Sequence, residues 1–182
     1  MKLFPLFIIV LIICCNHPES TEYSRDRNVN YQDNQKISVE QGILNSDASS
    51  KYKVIGIKDG DTYDLLNENT VITIRSAHID CPEKGQPYGQ KAKQFVSDIC
   101  FGKFVTLIHN AKYDRNKRLL AEVILEDGRN LNKLLVEYGL AWHYKKYSKD
   151  KEYATIEDMA RANKLGLWAD SNSMNPEIWR KK

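Results

Sequence analysis

The sequence predicts an α+β domain, a five-stranded closed β-barrel with three helices, over residues 51–182 of a 182-residue chain. Three observations carry this. Between Lys51 and Leu125 lie five short apolar runs separated by turn residues. A helical apolar stripe falls between the third and fourth runs, and two more follow the fifth. The first three runs are joined by turns too short for crossovers, which makes a meander and not a βαβ unit.

The elements follow in order. Lys51 to Lys58, with Val54, Ile55 and Ile57 apolar, reads as a first strand ending at the turn Asp59-Gly60-Asp61. Thr62 to Leu66 runs back, and Asn67-Glu68-Asn69 turns the chain into a β-branched third strand, Val71 to Ile74. Pro87 suits the first turn of a helix whose stripe is Tyr88, Ala92, Phe95, Val96 and Ile99. Gly102 opens a fourth strand through Phe104, Val105, Leu107 and Ile108. The basic turn Lys112–Lys117 separates it from a fifth, Arg118 to Leu125, and Asp127-Gly128 turns the chain again. Leu131, Leu134, Leu135 and Tyr138 recur at helical spacing, with Gly139 as the stop. Asp150 is placed to cap a last helix whose inner face would hold Tyr153, Ile156, Met159 and Ala160, ending before Gly166. Leu167 and Trp168 then pack back on the body. Five strands in meander order with helices at these places suggest a small barrel of OB type.

The first segment is not part of that core. Leu3 to Ile13 is almost unbroken apolar sequence after Lys2, shorter than the roughly 20 residues a spanning helix needs, and carries Pro5. Residues 1–15 read as an export signal. The Leu-Ile-Ile-Cys-Cys ending is similar to a lipoprotein signal; a plain secretory signal and an uncleaved anchor are the alternatives. Residues 16–50, rich in Asn, Ser, Asp, Glu and Gln, have too little apolar surface to offset ordering entropy and read as a flexible linker. The expected product is exported, either secreted or membrane-anchored as a lipoprotein.

The net charge of +3 is unevenly spread. Residues 1–50 carry four basic and six acidic side chains, residues 51–182 twenty-three and eighteen. That excess suits a polyanionic partner, though ordinary domains carry as much. Cys81 and Cys100, left in the folded part, read as free or buried thiols. With no Cys-x-x-Cys and no His/Cys ligand spacing, a structural zinc site is not expected.

Chemistry concentrates at the end of the third strand, where Arg75-Ser-Ala-His-Ile-Asp80-Cys81-Pro82-Glu83 places charges of both signs around a proline turn. Buried in a sheet, each would cost solvation free energy unless paired or facing a polar cleft. With Asp59-Gly60-Asp61 it makes two acidic turns at neighbouring strand ends, supplying the oxygen ligands a hard cation requires. Calcium is the expected ion, with magnesium or manganese as second choices. Arg75 and Arg118 supply planar donor forks matched to phosphate oxygens, and a carboxylate beside them could deprotonate a water. Simple alternation sets Arg75 and Asp80 on opposite faces of a regular strand, so a bend must lie between them if both serve one site.

Six pieces in order make the chain resemble the staphylococcal nuclease (thermonuclease) family over residues 52 to about 169. They are Asp59-Gly60-Asp61-Thr62, Arg75 with Ile79-Asp80-Cys81-Pro82-Glu83, Tyr88-Gly89-Gln90-Lys91-Ala92, Arg118-Leu119-Leu120-Ala121, Gly139-Leu140-Ala141 and Gly166-Leu167-Trp168. The resemblance implies an OB-fold barrel and calcium-dependent hydrolysis of DNA and RNA; a monomer is expected, with the membrane met only through the N-terminal lipid anchor that the lipoprotein reading of residues 1–15 would supply. It implies Asp61, Asp80 and the carbonyl of Cys81 as metal ligands, Glu83 as general base, and Arg75 and Arg118 on the scissile phosphate.

Two departures stand out. Cys81 replaces the usual Thr or Ala, and Asp114-Arg115-Asn116-Lys117 stands where many members have a Tyr-Gly pair that helps contact the nucleotide. Tyr113 or Tyr147 could compensate, or be ordinary surface or core aromatics. Lys145, Lys146, Lys149 and Lys151 would either guide a strand or form a solvated face. The competing reading, a nucleic-acid-binding OB module without catalysis, would be expected to lose Asp61, Arg75, Glu83 or Arg118. All four are present.

Overall fold

The five apolar runs become β1 (Tyr52–Asp59), β2 (Thr62–Asn67), β3 (Thr70–Ser76), β5 (Phe104–Ile108) and β6 (Leu119–Leu125) of a closed barrel in a computed structural model. The structure describes residues 50–182; the export-signal and linker readings fall outside it, Ser50 excepted. Alternation selects the inner face most clearly in β6, where Leu119, Ala121, Val123 and Leu125 are buried and the residues between them are not. Two register irregularities, between Val54 and Gly56 and between Ile57 and Asp59, bend β1 so that it pairs with β2 along its length and with β5 at Tyr52–Lys53.

The order around the barrel is β1-β2-β3-β6-β5, so the meander expected for five strands holds for only the first three. The last two form an antiparallel pair, and β6 lies parallel to β3 through Ile74–Ser76 against Leu119–Ala121. Strand lengths and turns cannot report this, because closure joins strands far apart in sequence.

Between β3 and β6 run the short strand β4 (Ile79–Asp80) and helix α1 (Gly89–Cys100). The helix starts later than Pro87 suggested. Tyr88 is its N-cap in the left-handed region, at φ 70°, with no side-chain cap, and Gly89 presses on the loop before it. A Cβ there would lie 2.0 Å from the Glu83 carbonyl oxygen. Helix α2 (Leu131–Glu137) and helix α3 (Lys151–Ala162) follow β6, with the two-residue strand β7 (Trp142–His143) between them paired to β4. Asp150 caps α3 as expected, accepting from the Glu152 N–H at 2.8 Å.

The inner face of α3 differs from expectation. Met159 is exposed and Glu157 is fully buried with Tyr153 and Ala160. Three groups match that charge: Lys145 Nζ at 2.7 Å, Arg161 Nη2 at 3.2 Å and the His143 N–H at 3.3 Å. Beyond α3, a 3-10 turn at Gly166–Ala169 buries Leu167 and Trp168, and the four-residue helix α4 (Pro176–Trp179) is an addition to the three expected. Cys81 and Cys100 are free and buried.

Candidate active site

The bend required between Arg75 and Asp80 is the turn Ala77–His78, with His78 at φ 68°. Asn132, buried on α2, holds it: its amide donates to the Ala77 and Ala121 carbonyls at 3.0 and 3.2 Å and accepts from the Val123 N–H. This turn redirects the chain into β4 and swings Asp80 onto the face that Arg75 occupies.

Arg75 is the hub. Its Nη2 lies 2.8 Å from Asp80 Oδ1 and 3.1 Å from Asp61 Oδ2, while its Nη1 donates to the carbonyls of Ser76 and Ile79 at 2.9 and 3.0 Å. Both carboxylates are buried. The Cys81 N–H donates to Asp61 Oδ2 at 2.7 Å and the Thr62 hydroxyl to Asp61 Oδ1 at 3.2 Å. The Cys81 thiol packs over Gly60, where an added Cβ would sit 2.9 Å from the sulfur, while its main-chain N–H is the group bonded to Asp61. Its burial raises the thiol pKa well above normal.

Arg118 stands on the far side of Thr62. Its Nη1 donates to Thr62 Oγ1 at 3.1 Å, and its Nε and Nη2 grip Asp114 Oδ2 at 2.8 and 2.6 Å. Thr62 therefore links Arg118 to Asp61 through one hydroxyl. Arg118 also lines an open cleft of about 470 Å³ with Lys58, Asp59, Lys117 and the exposed ring of Tyr113. Tyr147 lies elsewhere, edge-on to Tyr144. Lys145 and Lys146 are engaged by Glu157 and Glu177.

Glu83 joins the cluster through a residue the motifs did not single out. Arg180, just past α4, donates from Nη1 to Glu83 Oε1 at 2.6 Å and from Nη2 to Asp80 Oδ2 at 2.7 Å. Arg180 sits in a short Lys/Arg-ending tail with no motif around it, so nothing local marked it. Thr62 stood inside a quoted motif, but its linking role depends on the β2–β3 register that pairs it with Arg75.

Electrostatically the site interleaves buried carboxylates with guanidinium groups. Burial pushes the Asp61 carboxyl up to about 7; Arg75 opposes this, and Asp59 and Asp80 add to it. Burial also works against the Arg75 charge, but Asp61 and Asp80 outweigh it and raise its pKa. Two buried carboxylates close together are hard oxygen donors of the kind a calcium-type ion takes. Among the described residues no three His, Cys, Asp or Glu side chains group as a metal site. Asp61 and Asp80 are the pair of side chains here that could hold such an ion.

Residues 73–170 match the family of staphylococcal nuclease homologues. A Haemophilus influenzae protein named an uncharacterized endonuclease is 43% identical over 131 residues, covering 71% of this chain and 72% of its own. A Shigella flexneri protein named micrococcal nuclease is 36% identical over 144 residues, covering 74% and 82%. An Escherichia coli O157:H7 protein named an uncharacterized endonuclease is 36% identical over 128 residues, covering 70% and 83%. With that family match, these identities and the closed barrel that carries Asp61, Arg75 and Asp80 to one place, the chain belongs to the staphylococcal nuclease family.

Proposed function

We propose that this protein is a calcium-dependent nuclease that hydrolyses phosphodiester bonds of DNA and RNA. The observation that carries the reading is the pair of buried carboxylates, Asp61 and Asp80, flanking one guanidinium nitrogen of Arg75 beside the Arg118 cleft. The nuclease names of the relatives agree with it.

Asp61, Asp80 and the Cys81 carbonyl would hold calcium. When bound, the ion would supply Lewis-acid polarisation of the phosphate and of a water. The chain's own residues do the rest. Arg118, with Lys58 and Lys117 along the same cleft, attracts the strand and neutralises charge building on the phosphoryl oxygens. Arg75 has its outer nitrogens spent on carboxylates and carbonyls, so it acts as a fixed positive charge that holds both carboxylates in place and opposes the effect of burial on Asp61. Glu83 takes the proton of the attacking water onto a carboxylate oxygen. Tyr113 offers an exposed ring on the cleft wall where a base can stack.

Cleavage of single- and double-stranded DNA and of RNA, with calcium and with a chelator, tests this. Activity that needs calcium and disappears in Glu83→Gln with folding intact supports it. Binding without cleavage under any divalent ion would leave the module reading instead. Export as a lipoprotein or secreted protein is part of the same proposal, and fractionation with lipid labelling at Cys14 or Cys15 tests it.

A further inference from the structure

We propose that Arg180 is a built-in cation that latches the candidate site, occupying Asp80 and Glu83 until a divalent ion displaces it. This rests on the reading of Asp80 as a metal ligand. Arg180 Nη1 reaches Asp80 Oδ1 at 3.2 Å while Nη2 holds Oδ2 at 2.7 Å, a fork across both oxygens of a buried carboxylate. Arg75 already takes Oδ1 from the other side at 2.8 Å. Asp80 is therefore clamped between two guanidinium groups, and the base candidate Glu83 is held at 2.6 Å by the same Arg180. A cation that needs the Asp80 lone pairs meets N–H groups pointing at them and a like charge at contact distance.

The tail that carries Arg180 is fastened from outside the cluster. Gln86 donates to the Met174 carbonyl at 2.5 Å, and Lys146 pairs with Glu177 at 2.8 Å. Asn175 caps α4 through the Glu177 N–H, and Pro176 is buried. These holds are few and Ile178 stays exposed, so releasing the tail costs little next to opening the barrel. Arg180 and Asp80 are 100 residues apart in the chain, and the family match ends at residue 170.

Ion and latch compete, and the competition is reciprocal: the latch weakens ion binding by the factor by which the ion loosens the latch. Where the latched state holds nine-tenths of the population, apparent affinity falls about tenfold. Calorimetric calcium titration of the full chain reads this directly. Arg180→Ala is expected to bind about tenfold more tightly, and Arg180→Lys to fall between, because an ammonium cannot straddle both oxygens. In the unsubstituted protein, calcium is expected to speed amide exchange across residues 174–182. Equal or weaker affinity in Arg180→Ala overturns the latch. So does tighter binding with exchange at 174–182 indifferent to calcium, which would mean mere removal of a repelling charge. Calcium binding by neither form overturns both the latch and the metal-dependent reading. Tighter binding and faster exchange with no cleavage of nucleic acid keep the latch and sink the nuclease.

Discussion

The two arginine ends of the site are built differently. At one, Arg75 is almost wholly inside, sharing Nη2 between two carboxylates and using Nη1 to tie down the strand turn. At the other, Arg118 is held by one carboxylate four residues earlier in its own turn and by the Thr62 hydroxyl, on the wall of an open cleft. The buried end assembles strands, so its charge serves folding as well as chemistry. The open end rests on a local turn and faces substrate. Equal-looking arginines should therefore fail in different ways.

The largest effect is expected at the buried end. Arg75→Ala leaves the buried Asp61 without its ion pair and Asp80 with Arg180 alone, a loss of about 3–5 kcal/mol in calcium-free denaturant unfolding. Calcium should restore part of it, because an ion can take over the missing charge. Unchanged stability with and without calcium would remove the distinction between the ends.

Next comes the open end. Arg118→Ala should lower cleavage by about 10²–10³-fold. Its pairing with Asp114 is partly exposed, so denaturant unfolding should lose no more than about 1 kcal/mol. A loss as large as that of Arg75→Ala would show that both arginines are structural. Glu83→Gln should likewise cut the rate by about 10²–10⁴-fold while leaving the fold intact.

A smaller change separates the packing beneath the buried end from its charge. Gly60→Ala brings a Cβ to 2.8 Å from Ala92 Cβ and 2.9 Å from Cys81 Sγ, so α1 or the acidic turn must shift. Overpacking of this kind costs about 1–3 kcal/mol and should reduce calcium affinity, while the Arg118 turn is untouched. Calcium titration and denaturant unfolding of this variant beside the unsubstituted protein read the difference.

The smallest effect is pH dependence behind the buried end. His143 on β7 pairs with Ile79, next to Asp80. Burial lowers its pKa below 6.5; Lys145 and His78 add to this, and Glu157 and Asp150 oppose it. The folded state then binds fewer protons than the unfolded chain just below pH 6.5. This contribution is whole above that pH and is lost as pH falls toward the folded value. Between pH 7 and 5.5, wild-type stability should fall more than that of His143→Gln, with amide exchange rising at 79–80 and 142–143 before 112–119. Parallel curves for the two proteins would remove His143 from this role.

Much of this was legible in sequence because it is written in short-range chemistry. The five strand runs, the capping Asp150, the stop at Gly139 and the acidic turns each depend on a few neighbouring residues. The need for a bend after Arg75 also followed from alternation alone, and the Ala77–His78 turn supplies it. Met159, expected on the inner face of α3, is exposed, and Glu157 is buried there instead, for an equally plain reason. Hydropathy ranks methionine inside and glutamate outside, but Lys145 and the His143 N–H arrive from other elements and join Arg161, one turn on in α3, to neutralise Glu157.

By itself the sequence determined the local elements, the barrel class and which residue types were available for phosphate and cation chemistry. Tertiary structure alone decided that β6 lies parallel to β3, that Thr62 bridges Asp61 to Arg118, and that Arg180 returns from the tail to clamp Asp80. The reason is distance along the chain. Periodicity and turn chemistry are set by neighbours, whereas a contact across 56 or 100 residues exists only once the barrel has closed and brought both partners to one side.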